Sequence, residues 1–182
     1  MTPLTLYIYS NNTDLHCISA FESIKQMIPN TPIQKLQRYR KFTFSFNETT
    51  TEKAQSHLSQ LLDTSYDILN PNKESYYLDQ LPRIKTTTSC SVDVFKTHTT
   101  DDKRLCQRLQ SKYPTIPLQS LKQSITWTFI FSKKISEDDV NATYDQLVLT
   151  TSRTSGLFVN PLFETASLYS IQNSTTQVNA KI

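Results

Sequence analysis

The sequence predicts an α+β protein built from two tandem ferredoxin-like βαββαβ units packed as a pseudo-dimer, and three observations carry that prediction. First, the chain repeats itself: Ile28 to Phe46 read IPNTPIQKLQRYRKFTFSF, and Tyr113 to Phe131 read YPTIPLQSLKQSITWTFIF. A shift of 85 positions without a gap lays Pro29 on Pro114, Pro32 on Pro117, Gln34 on Gln119 and Leu36 on Leu121. The same shift lays Phe42, Phe44 and Phe46 on Trp127, Phe129 and Phe131. Second, LNPNKESYYL (Leu69 to Leu78) meets VNPLFETASL (Val159 to Leu168) at a shift of 90, so the second copy holds about five extra residues, placed around Thr151 to Gly156. Two anchors in one order at nearly one spacing mark a tandem duplication of a unit of roughly 85 residues. Third, the apolar period switches between two and about 3.6 in the same order within each copy.

In the first copy, Leu4 to Ser10 alternates and is rich in β-favouring residues, which predicts a strand. Asp14 can cap the next segment, where Cys17, Phe21, Ile24 and Ile28 form one face of an amphipathic helix. Pro29 and Pro32 close it. KLQRYRKFTFSF supplies the two middle strands, with Phe42, Phe44 and Phe46 on one face of the later one. The cluster Thr49 to Glu52 starts a second helix with an apolar stripe of Ala54, Leu58, Leu61 and Leu62. Asn70-Pro71 stops it, and SYYL forms a short last strand. The copy repeats each step. Ser91 to Phe95 is its first strand, and Cys106, Leu109 and Tyr113 mark its first helix. Val140, Tyr144, Leu147 and Val148 line its second helix, and Ser167 to Ile171 closes it. These readings divide the chain into a first repeat (1–80), a linker (81–89), a second repeat (90–172) and a flexible tail (173–182). An apolar sheet face left bare by its helices needs a cover, which two copies can supply face to face or through joined edges.

Composition narrows the function. The net charge of +3 is small and the charges are interspersed, which argues against a nucleic-acid arm or a membrane-binding basic stripe. No apolar run approaches a bilayer-spanning length, and MTPLTLYIYSNN lacks signal-peptide features, so a cytoplasmic location is expected. Cys17, Cys90 and Cys106 have neither metal-site nor redox spacing. Phosphate loops and dinucleotide fingerprints require several glycines, and the chain has one, Gly156. His16, His57 and His98 are too scattered for a metal site. Asp101-Asp102 and Glu137-Asp138-Asp139 stand where helices begin, as caps and dipole partners.

The segment order and its motifs resemble PurS, the small non-catalytic subunit of phosphoribosylformylglycinamidine synthase. In that family a strand and a helix lead to an Arg-x-Gly-Lys stretch, and a later helix ends in a Leu-Leu-x-Asn-Pro-type motif followed by an acidic residue. Here the first copy offers Arg38, Tyr39, Arg40 and Lys41, with Arg40 at the glycine position, then Ile68-Leu69-Asn70-Pro71 and Glu74. The second copy offers Lys122, Gln123, Ser124 and Ile125, then Leu157-Phe158-Val159-Asn160-Pro161 and Glu164. The resemblance spans both copies, and the fused pair is similar to the PurS-like pair at the N-terminus of the large single-chain synthase. It implies an assembly subunit of de novo purine biosynthesis that bridges the synthetase PurL and the glutaminase PurQ for ammonia transfer. It also implies that ATP, magnesium and the nucleophilic cysteine belong to those partners and that no cofactor belongs to this chain, while its charge and composition argue for no nucleic-acid or membrane partner.

Candidate contact residues follow. Arg38, Arg40 and Lys41 form the densest basic cluster, either a solvated strand edge or a contact for an anionic partner surface or substrate phosphate. Asn70, Pro71 and Glu74, with Asn160, Pro161 and Glu164, are helix stops that on the family reading also shape a partner interface. Two other classes compete. An RNA-binding module of this topology would use sheet aromatics, which KFTFSF offers without the accompanying glycine. A small-ligand regulatory module would need glycine-rich loops, which the sequence lacks.

Overall fold

The computed structural model describes residues 3–82, 84, 87–148 and 156–172. In chain order it contains strand β1 (Leu4–Ser10), helix α1 (Leu15–Met27), β2 (Ile33–Phe46), α2 (Thr51–Thr64) and β3 (Glu74–Leu78). The second repeat follows with β4 (Ser89–Lys96), α3 (Thr100–Lys112), β5 (Leu118–Phe131), α4 (Glu137–Leu147) and β6 (Glu164–Gln172). All pairs are antiparallel and form one six-stranded sheet in the order β3-β1-β2-β5-β4-β6.

The expected βαββαβ unit is corrected to βαβαβ, because each pair of middle strands is a single strand of 14 residues. Between Ile33 and Phe46 there is no Gly, Pro, Asn or Asp to turn the chain. The partner repeat supplies ladder partners along the whole length, from Ile33 opposite Phe131 to Phe46 opposite Leu118. The repeats therefore join through edges. The last strand also begins earlier than expected, at Glu164, and β4 begins at Ser89 inside the expected linker.

The helices form where the stripes place them. Asp14 caps α1 by accepting the His16 N–H, and Thr50 caps α2 by accepting the Lys53 N–H. Ser136 caps α4 through the Asp139 N–H. Ala54, Leu58, Leu61 and Leu62 of α2 are all buried. Gly156 has φ 82, a conformation that costs glycine nothing, and its N–H bonds to the Gln146 carbonyl. The extra residues 151–155 and the tail 173–182 lie outside the described residues. Among the described residues no helix is long and apolar enough to cross a membrane.

Both hydrophobic cores draw on both repeats. One unites Leu4, Leu6, Phe42, Phe44, Phe46 and Leu58 of the first repeat with Leu105, Leu109, Leu118 and Leu121 of the second. The other sets Ile24, Ile33 and Leu36 among Val92, Phe129, Phe131, Val140 and Leu147, with Cys17 and Phe21 packed against it. A 14-residue strand runs roughly 45 Å, so β2 and β5 each pass beneath helices of both repeats.

Strand alternation puts these core residues on one face of the sheet and Tyr7, Tyr39, Ser91, Asp93, Thr126 and Thr128 on the other. The second face is thus polar and tyrosine-rich rather than apolar. Tyr9 and Tyr77 stack there with ring centroids 4.9 Å apart.

Candidate functional site

The functional geometry centres on the junction of the repeats. Arg40 lies opposite Ile125 in the β2–β5 ladder, and these residues are separated by the repeat shift itself. Each is the other's counterpart, so the pair sits on the local two-fold axis. The ends of the ladder confirm the symmetry: Pro117 accepts the Asn47 N–H at 2.9 Å, and its counterpart Pro32 accepts the Ser132 N–H at 2.8 Å.

Two Asn-Pro-x-x-Glu turns flank this axis and repeat bond for bond. Glu74 Oε2 accepts the Asn70 N–H at 2.9 Å, and Glu164 Oε2 accepts the Asn160 N–H at 3.0 Å. In return the Asn70 and Asn160 carbonyls accept the Glu74 and Glu164 N–H groups, both at 2.8 Å. Asn70 Oδ1 accepts the Asn72 N–H, and Asn160 Oδ1 accepts the Leu162 N–H. Each turn is tied to the loop after its neighbouring strand: Lys73 accepts the Asn11 N–H and Phe163 accepts the Thr97 N–H. Pro71 and Pro161 follow the asparagines without needing a donor.

A cleft lies beside each turn on the helix-covered face. The first, of about 320 Å³, is lined by Asp14, Leu15, His16, Arg38, Arg40 and Glu74. Arg40 Nη2 donates to both oxygens of Glu74 at 2.8 Å and to the Ile68 carbonyl at 3.0 Å. Arg38 approaches Asp14 at 3.7 Å, with its guanidinium 5.8 Å from the Trp127 ring centroid across the junction. The second cleft, of about 220 Å³, has Val94, Lys96, Asp101, Asp102, Ile125 and Glu164 among its lining residues. There Lys96 bonds Asp101 at 2.8 Å, which raises the lysine and lowers the carboxylate from their ordinary pKa values. Gln123 donates to Asp102 at 3.1 Å.

The basic cluster is divided between the two faces of the sheet. Arg38 and Arg40 lie on the helix-covered face, whereas Lys41 points to the opposite one, because neighbours on a strand alternate. Lys41 pairs with Asp93 of β4 across the junction, with side chains only 11% and 3% exposed. Thr126, the repeat counterpart of Lys41, donates to the other Asp93 oxygen. Lys41 therefore ties the two repeats together. No composition signal marked Asp93; its pairing comes from strand register alone.

His57 bonds Glu48 at 3.1 Å and stacks on Phe46. Burial, with Asp14 adding to it, pushes the Cys17 thiol up to about 12, and burial alone does the same to Cys90. Burial and the neighbouring Tyr77 and Tyr9 raise Tyr39 as well. Among the described residues no three His, Cys, Asp or Glu side chains converge as metal ligands. The chain matches no protein-family model, no curated protein and no solved structure.

Proposed function

We propose that this chain is a non-catalytic assembly subunit of phosphoribosylformylglycinamidine synthase, a fused PurS-type pair in which each repeat is a ferredoxin-like unit with its middle strands merged. It would bridge PurL and PurQ, which hold ATP, magnesium and the glutaminase nucleophile. The observation that carries the reading is the bond-for-bond repetition of the Asn-Pro-x-x-Glu turn on both sides of one two-fold axis. Paired, rigid, symmetric projections suit a scaffold between partners. The test is gel filtration with light scattering on this protein mixed with a small-form PurL and PurQ, with glutamine and ADP present. A one-to-one-to-one complex is expected. A chain that stays monomeric and ignores both partners removes the assembly role.

RNA binding through KFTFSF is disfavoured by position, since Phe42, Phe44 and Phe46 are fully buried under helices. The Tyr9–Tyr77 stack, on the sheet face opposite those helices, is a feature that speaks for a base-stacking surface. Salt-sensitive retardation of single-stranded RNA that is lost on Tyr9→Ala and Tyr77→Ala would favour that second reading.

A further inference from the structure

The two clefts are related by the duplication, so the first serves as an internal reference for the second. In the first, Glu74 and the Ile68 carbonyl hold the guanidinium of Arg40. In the second, Glu164 takes the place of Glu74 in an identical turn, but the residue equivalent to Arg40 is Ile125. The equivalent of Arg38 is also uncharged, namely Gln123. A space of about 220 Å³ opens beside Glu164 on the Ile125 side.

Ion pairing follows the same change. Arg38 and Arg40 balance Asp14 and Glu74 around the first cleft. The second is lined by Arg40, Lys41 and Lys96 together with Asp101, Asp102 and Glu164, but Arg40 is held by Glu74 and Lys41 by Asp93. Lys96 is then left against Asp101, Asp102 and Glu164, and its own bond goes to Asp101. Among the described residues no ion pair reaches Glu164. The floor contributed by Phe42, Val94 and Ile125 is apolar, which suits the weakly hydrated faces of a guanidinium better than a compact ammonium.

We infer that the second cleft is a recognition site for a guanidinium group supplied from outside the chain, held by Glu164 where Arg40 is held by Glu74. This inference is independent of the assembly role, because it rests on the comparison of the two clefts. Two sources share this chemistry, a free guanidino compound and an arginine of a partner protein. Beside Glu164, Leu162 and Phe163 are 76% and 57% exposed, where the first repeat has the polar Asn72 and Lys73. That apolar shoulder suits a ligand larger than the guanidinium itself.

The experiment titrates the intact protein with L-arginine and with N-acetyl-arginine N-methylamide, reading backbone amide shifts by NMR. The matching citrulline compounds, which are neutral and of the same shape, are the controls. Saturable shifts are expected at Val94, Lys96 and Glu164, absent at the Asn70–Glu74 turn and absent with citrulline. Glu164→Gln keeps the acceptor for Asn160 and loses the charge, so affinity should fall roughly ten-fold, as for one charge-assisted bond. Ile125→Arg should fill the cleft from within, abolish binding and raise the melting temperature. Tighter binding of free arginine assigns the site to a metabolite, and tighter binding of the blocked form assigns it to a protein side chain. Absence of saturable binding at millimolar concentration, equal binding of citrulline, or unchanged affinity in Glu164→Gln would each overturn the inference.

Discussion

Lys41 and Asp93 carry the largest electrostatic stake of any single pair in the described chain, because both are taken out of water at the junction. Removing one partner strands the other's charge, a loss of about 3–5 kcal/mol for a buried pair. Lys41→Met should therefore lower the urea midpoint sharply, while adding Asp93→Leu should restore most of it. A double variant as weak as the single one would show that the pair itself is worth its burial. The thiols give a pH prediction. Cys17 and Cys90 titrate near 9.0 when unfolded and at about 12 when folded, so the folded chain holds its protons longer. Their contribution is complete below the unfolded value and is lost as pH rises from there toward the folded one. Melting temperature should fall between pH 8 and pH 10.5, measured by circular dichroism, and fall less steeply in Cys90→Ala. Strand parity alone separates Arg40 from Lys41, and it is legible in the sequence once the strand is known to be unbroken. The partner of Lys41 is not, since Asp93 lies 52 positions away.

The four helices were legible as stripes and caps because their period and end signals are local. The α4 cap shows the cost of losing one: Ser136 Oγ accepts the Asp139 N–H at 3.1 Å and donates to its carboxylate at 2.7 Å. Ser136→Ala should destabilise by about 1 kcal/mol in chemical denaturation, with Ser136→Asn close to wild type. The strands were less legible. An alternating segment without turn residues reads equally as one long strand or two short ones until its pairing is known. β2 is one strand because β5 accompanies it throughout, and proline at Thr43, which faces both Thr5 and Lys122, should disrupt both ladders. Its expected signature is loss of cooperative unfolding rather than a small shift in midpoint.

At the scale of the whole molecule, the shared cores make the duplication a single folding unit. Trp127 reports from the second core, which contains α1 of the first repeat, so its fluorescence and the far-ultraviolet dichroism should trace one coincident transition in urea. Two separated transitions would mean that the repeats fold independently and that the mixed cores contribute little. By itself the sequence determined the α+β class, the duplication, the helices and the two Asn-Pro-x-x-Glu turns. Each of these is written in local period, local turn chemistry or direct repetition. Only the tertiary structure decided that the repeats join edge to edge, that Arg40 and Ile125 meet on the axis, and that the glutamates of the two clefts differ in their pairing. Those outcomes depend on which residues of distant segments lie opposite one another, and register between strands is set by the packing of the whole sheet against its helices.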